Sequence, residues 1–232
     1  MTFLEKLENR IKSSNSRVCV GLDSTLEKLP TEYTKSVDSL LDFNKRIIDA
    51  THEHVLAYKP NIAFYEALGV KGWTLLEKTI EHIPNDIITI ADAKRGDIGN
   101  TAKMYAQTFF DTYPFDSITV NPYMGYDSVS PYLEYKDKGT IILGLTSNKG
   151  SEDIQELKLD EHTSVAEHVC QKIVSWNKNK NCLLVVGATN SEKIKRIREA
   201  SSDLYFLVPG IGAQGGSLED VIRYGGKNVI IN

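Results

Sequence analysis

Eight short apolar runs recur along the chain: RVCVGLD (17–23), VLAYKPN (55–61), DIITIADAK (86–94), DSITVNPY (116–123), GTIILGLTS (139–147), CLLVVGAT (182–189), LYFLVPGIG (204–212) and NVIIN (228–232). Between them lie longer charged segments with helical spacing, among them SVDSLLDFNKRIIDATHEH, WTLLEKTIEH, SVAEHVCQKIVSWNKN and SEKIKRIREASS. The order is strand, then helix, throughout. The runs show no clean alternation of apolar and polar residues, so the strands are expected to be buried on both faces, as in a parallel sheet. Eight such units in 232 residues match a single (β/α)8 TIM barrel, typically about 250 residues long. An open, doubly wound sheet is the alternative. At the N-terminus, Phe3, Leu7 and Ile11 stand at i, i+4 and i+8, which predicts a helix over 2–14 packing on the barrel. No linker or low-complexity tract divides residues 1–232, which read as one domain with KNKN (177–180) and TSNKGSED (146–153) as loops.

A net charge of −4 supplies no broad basic field, which argues against a nucleic-acid partner. Acidic residues interrupt the first helix, so it reads as neither a signal nor a transit peptide, and no run approaches the roughly 18 apolar residues of a membrane span. Three widely spaced cysteines, Cys19, Cys170 and Cys182, fit buried thiols in a reducing compartment. The expected setting is the cytoplasm. His52 and His54 do not share a helix face, and no further Cys or His cluster completes a ligand set, so no metal site is expected.

Polar residues gather where the runs end: Asp23 after the first, Lys59 and Asn61 after the second, Asp92 and Lys94 after the third, Asn121 after the fourth, Ser147 after the fifth. In a β/α barrel these positions surround one mouth, where active sites are built. On a strand, residues at i and i+2 share a face, so Asp92 and Lys94 are expected to point the same way from the strand's end. A lysine among carboxylates in a partly dry mouth can stress an anionic substrate group and deliver a proton. An ion-pair network that merely closes the barrel top is the plainer reading of the same charges. The seventh run ends in PGIGAQGG (209–216), whose glycines Gly210, Gly212, Gly215 and Gly216 can turn backbone N–H groups toward a phosphate. The loop TSNKGSEDIQ, with Lys149 and Gly150, is a candidate lid.

DAKRGDIGNT (92–101), taken with GLD (21–23), YKPN (58–61), LTSN (145–148) and VPGIGAQGG (208–216), closely resembles the orotidine 5′-phosphate decarboxylase family, in its bacterial-type branch with the long KRGDIGNTA signature. The likeness runs in order from about residue 17 to residue 232, and the D-x-K-R-x-D-I-x-x-T block is its most specific part. The resemblance implies a β/α barrel that releases CO2 from orotidine 5′-phosphate to give UMP, without metal or organic cofactor. It implies that Lys94 protonates C6, that Asp92 sits against the departing carboxylate, and that Lys59 orients Asp92 and reaches the ribose, which Asp23 also binds. Ser147 would contact the pyrimidine, and Gln214 with the amides around Gly212 the phosphate. Asp97 and Thr101 would reach the partner subunit's site, which implies a homodimer. The family also carries a Gly-Arg pair after the eighth strand and a last helix. The sequence stops inside that strand at Asn232, which is expected either of a shortened version of a longer protein or of a natural chain with weakened phosphate binding. Two rivals remain at this stage: a metal-dependent sugar-phosphate lyase of the same superfamily, which needs a metal-binding acid where Lys59 stands, and a non-catalytic nucleotide-phosphate binding protein.

Overall fold

The computed structural model describes residues 1–187, 191–201, 203–211 and 216–232. Strands and helices alternate as α1 (Phe3–Ser14), β1 (Cys19–Gly21), α2 (Val37–Thr51), β2 (Ala57–Lys59), α3 (Ile62–Glu66), α4 (Val70–Glu81), β3 (Ile88–Arg95) and α5 (Gly99–Gln107), the last continued by a π-helical turn at Thr108–Thr112. Then follow β4 (Ser117–Val120), α6 (Tyr126–Leu133), β5 (Gly139–Leu145), a 3-10 turn at Lys149–Asp153, α7 (Val165–Trp176), β6 (Cys182–Val186), α8 (Ser191–Ser201), β7 (Phe206–Val208), α9 (Leu218–Gly225) and β8 (Val229–Ile231). Among the described residues, no helix is long and apolar enough to cross a membrane.

The strands pair in sequence order, every neighbour parallel. The last returns to the first: Val18 bridges Ile231, the Ile231 amide donates to the Arg17 carbonyl at 2.8 Å, and Asn232 Nδ2 donates to the Cys19 carbonyl at 3.0 Å. The sheet is therefore a ring. Strand order that never reverses rules out the doubly wound alternative, which requires a switch point.

The apolar runs lack alternation because both faces are dry. Leu183 and Val185 of β6 join a cluster with Cys19, Ala57, Ile88, Ile90, Ile141, Leu207 and Ile230, drawn from strands all round the ring, which is the barrel interior. Their neighbours Leu184 and Val186 pack instead with Leu76, Phe109, Cys170 and Ile194 of the helical layer. The inner face turns polar toward the C-terminal strand ends. After Ile88 and Ile90, the next residue on that face is Asp92; after Ala57 it is Lys59; and on β4 it carries Ser117 and Thr119.

Helix α1 closes the opposite end. It starts at a capping box in which the Glu5 amide donates to Thr2 Oγ1 at 3.3 Å and the Thr2 amide to Glu5 Oε2 at 2.8 Å. Phe3 and Leu7 insert into the interior cluster, and Arg10 is buried, donating to the carbonyls of His52 and Val55 and pairing with Asp86 at 2.5 Å. Phe3 lies so close to Gly139 that a Cβ there would fall 2.6 Å from the ring, which explains glycine at the start of β5. Phe3→Ala should lower the unfolding free energy by about 3 kcal/mol in chemical denaturation. A loss under about 1 kcal/mol would show that α1 is not part of the core.

Candidate active site

Asp92 lies at the barrel mouth, 8% exposed, and Lys59 beside it is 6% exposed. Two ions taken out of water cost several kcal/mol each unless they are paired and hydrogen-bonded. Both conditions hold. Asp92 Oδ2 accepts from Lys59 Nζ at 3.1 Å, and Oδ1 accepts from Lys94 Nζ at 2.6 Å and from Thr119 Oγ1 at 2.9 Å. Burial disfavours the charge on Asp92, but Lys59 and Lys94 outweigh it and hold the carboxyl below its ordinary pKa. Burial likewise opposes the charge on Lys59, and Asp92 reverses the balance, so the ammonium is held above the ordinary lysine value. Lys94 has half of its side chain in solvent, with 49% exposed, so its ammonium can meet a ligand in the mouth.

Asp92 and Lys94 meet on one side as the sequence predicts, 2.6 Å apart, but through a break in the strand and not by plain alternation. Pairing of β3 with β4 runs from Ala91 opposite Ile118 to Arg95 opposite Val120, so four steps on one strand match two on the other. Lys94 absorbs the excess at φ 48°, a left-handed conformation that costs a non-glycine residue roughly 1–2 kcal/mol. Beyond the break, Arg95 pairs with Glu66 and stacks over the rings of Tyr105 at 5.2 Å and Phe109 at 5.5 Å, tying the strand end to α3 and α5.

The other expected residues stand as follows. Asp23 is exposed at the end of the first strand run and accepts from the Asn61 amide at 3.0 Å, and Asn61 in turn bridges Asp92. These contacts link the first three strand ends. Ser147 is half-buried after β5. Gly187, just past β6, lies against it so closely that a Cβ would fall 2.7 Å from the Ser147 amide nitrogen. Asp97 is half-buried and accepts from the Ile98 amide at 2.8 Å, and Thr101 is exposed on the first turn of α5. Among the described residues neither pairs with Lys94 or Asp92. Gly212, Gln214 and Gly215 lie outside the described residues. At the borders of that segment, Gly210 has φ 91° and its carbonyl accepts from the Gly216 amide at 3.1 Å. The candidate lid is tied at its base, where Gln155 Oε1 accepts from the Thr146 amide and Nε2 donates to Thr146 Oγ1, each at 2.8 Å.

Thr119 is a site residue not apparent from the strand ends, where the fourth run offers Asn121. The signal was present: in SITV the polar residues Ser117 and Thr119 alternate with Ile118 and Val120, which marks an inner polar face.

Comparison with known proteins places this geometry in a family. The sequence model described as Orotidine 5′-phosphate decarboxylase / HUMPS family matches residues 16–232. The curated orotidine 5′-phosphate decarboxylase of Christiangramia forsetii is 52% identical over 229 residues, covering 97% of this chain and 84% of its own. The corresponding protein of Dehalococcoides mccartyi strain CBDB1 is 50% identical over 228 residues, covering 97% and 83%. The solved structure of Leishmania donovani OMP decarboxylase matches with a TM-score of 0.90 at 40% identity, covering 100% of this chain and 89% of that one. Leishmania donovani UMP synthase matches with a TM-score of 0.92 at 41% identity, and the chain spans 51% of its length. With the family's pattern followed from residue 16 to residue 232 and about half of all positions shared with its curated members, the chain belongs to the orotidine 5′-phosphate decarboxylase family.

Proposed function

We propose that the chain decarboxylates orotidine 5′-phosphate to UMP, a step of pyrimidine biosynthesis, with the Lys59–Asp92–Lys94 array as its reactive centre. The carrying observation is a buried carboxylate held charged between two ammonium groups, one of them open to the mouth. Asp92 faces the substrate carboxylate, and adjacent like charges repel in the bound substrate but not once CO2 has formed. The bond from C6 to the carboxyl carbon breaks, the electron pair stays on C6, and CO2 leaves. The Lys94 ammonium stabilises that developing charge and gives its proton to C6, and the amine recovers a proton from water. Lys59 holds Asp92 and reaches the ribose with Asp23, Ser147 meets the pyrimidine, and Gly212 and Gln214 receive the phosphate. Binding at the phosphate, remote from C6, helps close the site over the reacting carbon. No step requires a metal or an organic cofactor.

We read the working form as a cytoplasmic homodimer in which Asp97 and Thr101 complete the partner subunit's site. The exposure of Thr101 on the single chain, and of the apolar side chains of Ile98 and Met104 beside Asp97 and Thr101, supports this. Neither rival from the sequence is favoured. Lys59, paired with Asp92, occupies the place of the metal-binding acid, and relatives at about half identity carry the name of a decarboxylase.

Lys94→Ala should lower kcat for orotidine 5′-phosphate by at least about 10²–10⁴-fold while UMP still binds. Turnover unchanged in that variant would remove Lys94 as proton donor, and parent activity abolished by excess chelator would return the metal-dependent rival. Mixing inactive K94A with inactive Asp97→Ala should restore about a quarter of the parent activity through mixed dimers that keep one intact site. No restoration would contradict shared sites.

The same array links stability to pH. The folded pKa of Asp92 lies below its unfolded value, so its contribution is complete above the ordinary carboxylate range and is lost as pH falls through the lowered folded value. That of Lys59 is complete below the ordinary lysine range and is lost as pH rises through its raised folded value. Lys59→Met should therefore cost on the order of 3 kcal/mol at neutral pH. The difference from the parent should shrink as pH falls through and below the ordinary carboxylate range in urea unfolding, and a difference independent of pH would contradict the assigned charges.

A further inference from the structure

We propose that Thr119 is the positioning residue that sets where the Lys94 ammonium stands, because one hydroxyl holds both the backbone break beneath Lys94 and the carboxylate that Lys94 pairs with. The proposal rests on the reading of Lys94 as proton donor. A threonine hydroxyl has one proton and two acceptor sites. Thr119 Oγ1 accepts from the Ala93 amide and from the Lys94 amide, each at 2.9 Å, so its acceptor sites are filled. Its one proton then lies on the line to Asp92 Oδ1, 2.9 Å away. Thr119 is 1% exposed, so water does not compete for these bonds.

The two amides are those that the extra residues of β3 take out of the ladder between Ala91 and Arg95. A buried N–H needs a partner, and Thr119 supplies one acceptor to both. Without it, regular pairing with β4 would draw Lys94 back from φ 48° into the strand and move its side chain relative to the mouth. At the other end, Asp92 Oδ1 takes both Thr119 Oγ1 and Lys94 Nζ, while Oδ2 takes Lys59 Nζ. The hydroxyl thus also decides which carboxylate oxygen faces Lys94. The oxygen is what matters here, and the methyl group is not.

Thr119→Ser and Thr119→Cys differ in the γ atom, and sulfur donates and accepts only weakly. T119S should keep kcat close to the parent. T119C should lose about 10²-fold in kcat with KM little changed, the scale of a misplaced reacting group. The acid limb of the T119C rate profile should move to higher pH, since Asp92 loses a donor to its charged form. T119A offers a second variant with the same expected loss, and binding of UMP verifies that each variant is folded. Equal kcat in T119S, T119C and T119A would overturn the proposal. So would a loss in T119C and T119A in which UMP affinity falls in parallel and the acid limb stays in place, since a purely structural role does that. K94A measured beside them separates the two claims. Inactive K94A with equal Thr119 variants removes only the role of Thr119, whereas active K94A removes the proton-donor reading and this inference with it.

Discussion

The structure turns on a carboxylate that stays charged where burial would neutralise it. Asp92 is nearly out of water, and only the lysines on either side make its ionised form the favoured one. Each partner comes from a different structural device. Lys59 ends β2, Lys94 sits on a break in β3, and Thr119 reaches across from β4. The pairing therefore depends on three adjacent strands being in register, and that register depends on the ring. A closed parallel barrel with an apolar interior below, plugged by Phe3 and Leu7, fixes the height at which each inner row changes from apolar to charged.

That change of character is the functional design of the fold. Toward the N-terminal end, Ile88, Ile90, Leu183 and Val185 fill the interior and α1 seals it. One residue further on the same faces, Asp92 and Lys59 meet in a dry floor, and Lys94 rises from it into the mouth. A charge array there exerts a stronger field on a bound anion than it would in water. The left-handed backbone at Lys94 is strain at the site where chemistry is proposed, with its amide bonded to Thr119 and its ammonium to Asp92.

The barrel was legible because the apolar runs carry it: each of the eight strands falls on one of the eight runs, with only β3 extending a residue past its run to Arg95. The α1 stripe of Phe3 and Leu7 was equally plain, though burial of Arg10 was not, because its partners are carbonyls 42 and 45 residues away. Asp92, Lys94 and Lys59 could be named from charge at strand ends, and their roles came from the likeness to a family. The strand break could not be read: nothing in IADAKRGD announces that two residues leave the ladder, since the acceptor for the Ala93 and Lys94 amides lies on another strand. Thr119 could have been found by extending the two-residue period of SITV to the inner face.

The most direct test of the central claim is a 13C NMR titration of the Asp92 carboxyl carbon, assigned by its absence from Asp92→Asn. A midpoint below the ordinary aspartate value of about 3.9 would show the carboxylate held charged by its lysines, as the array requires. A midpoint at or above that value would mean that burial outweighs the lysines, and the site would then lack the charge on which the proposed chemistry depends.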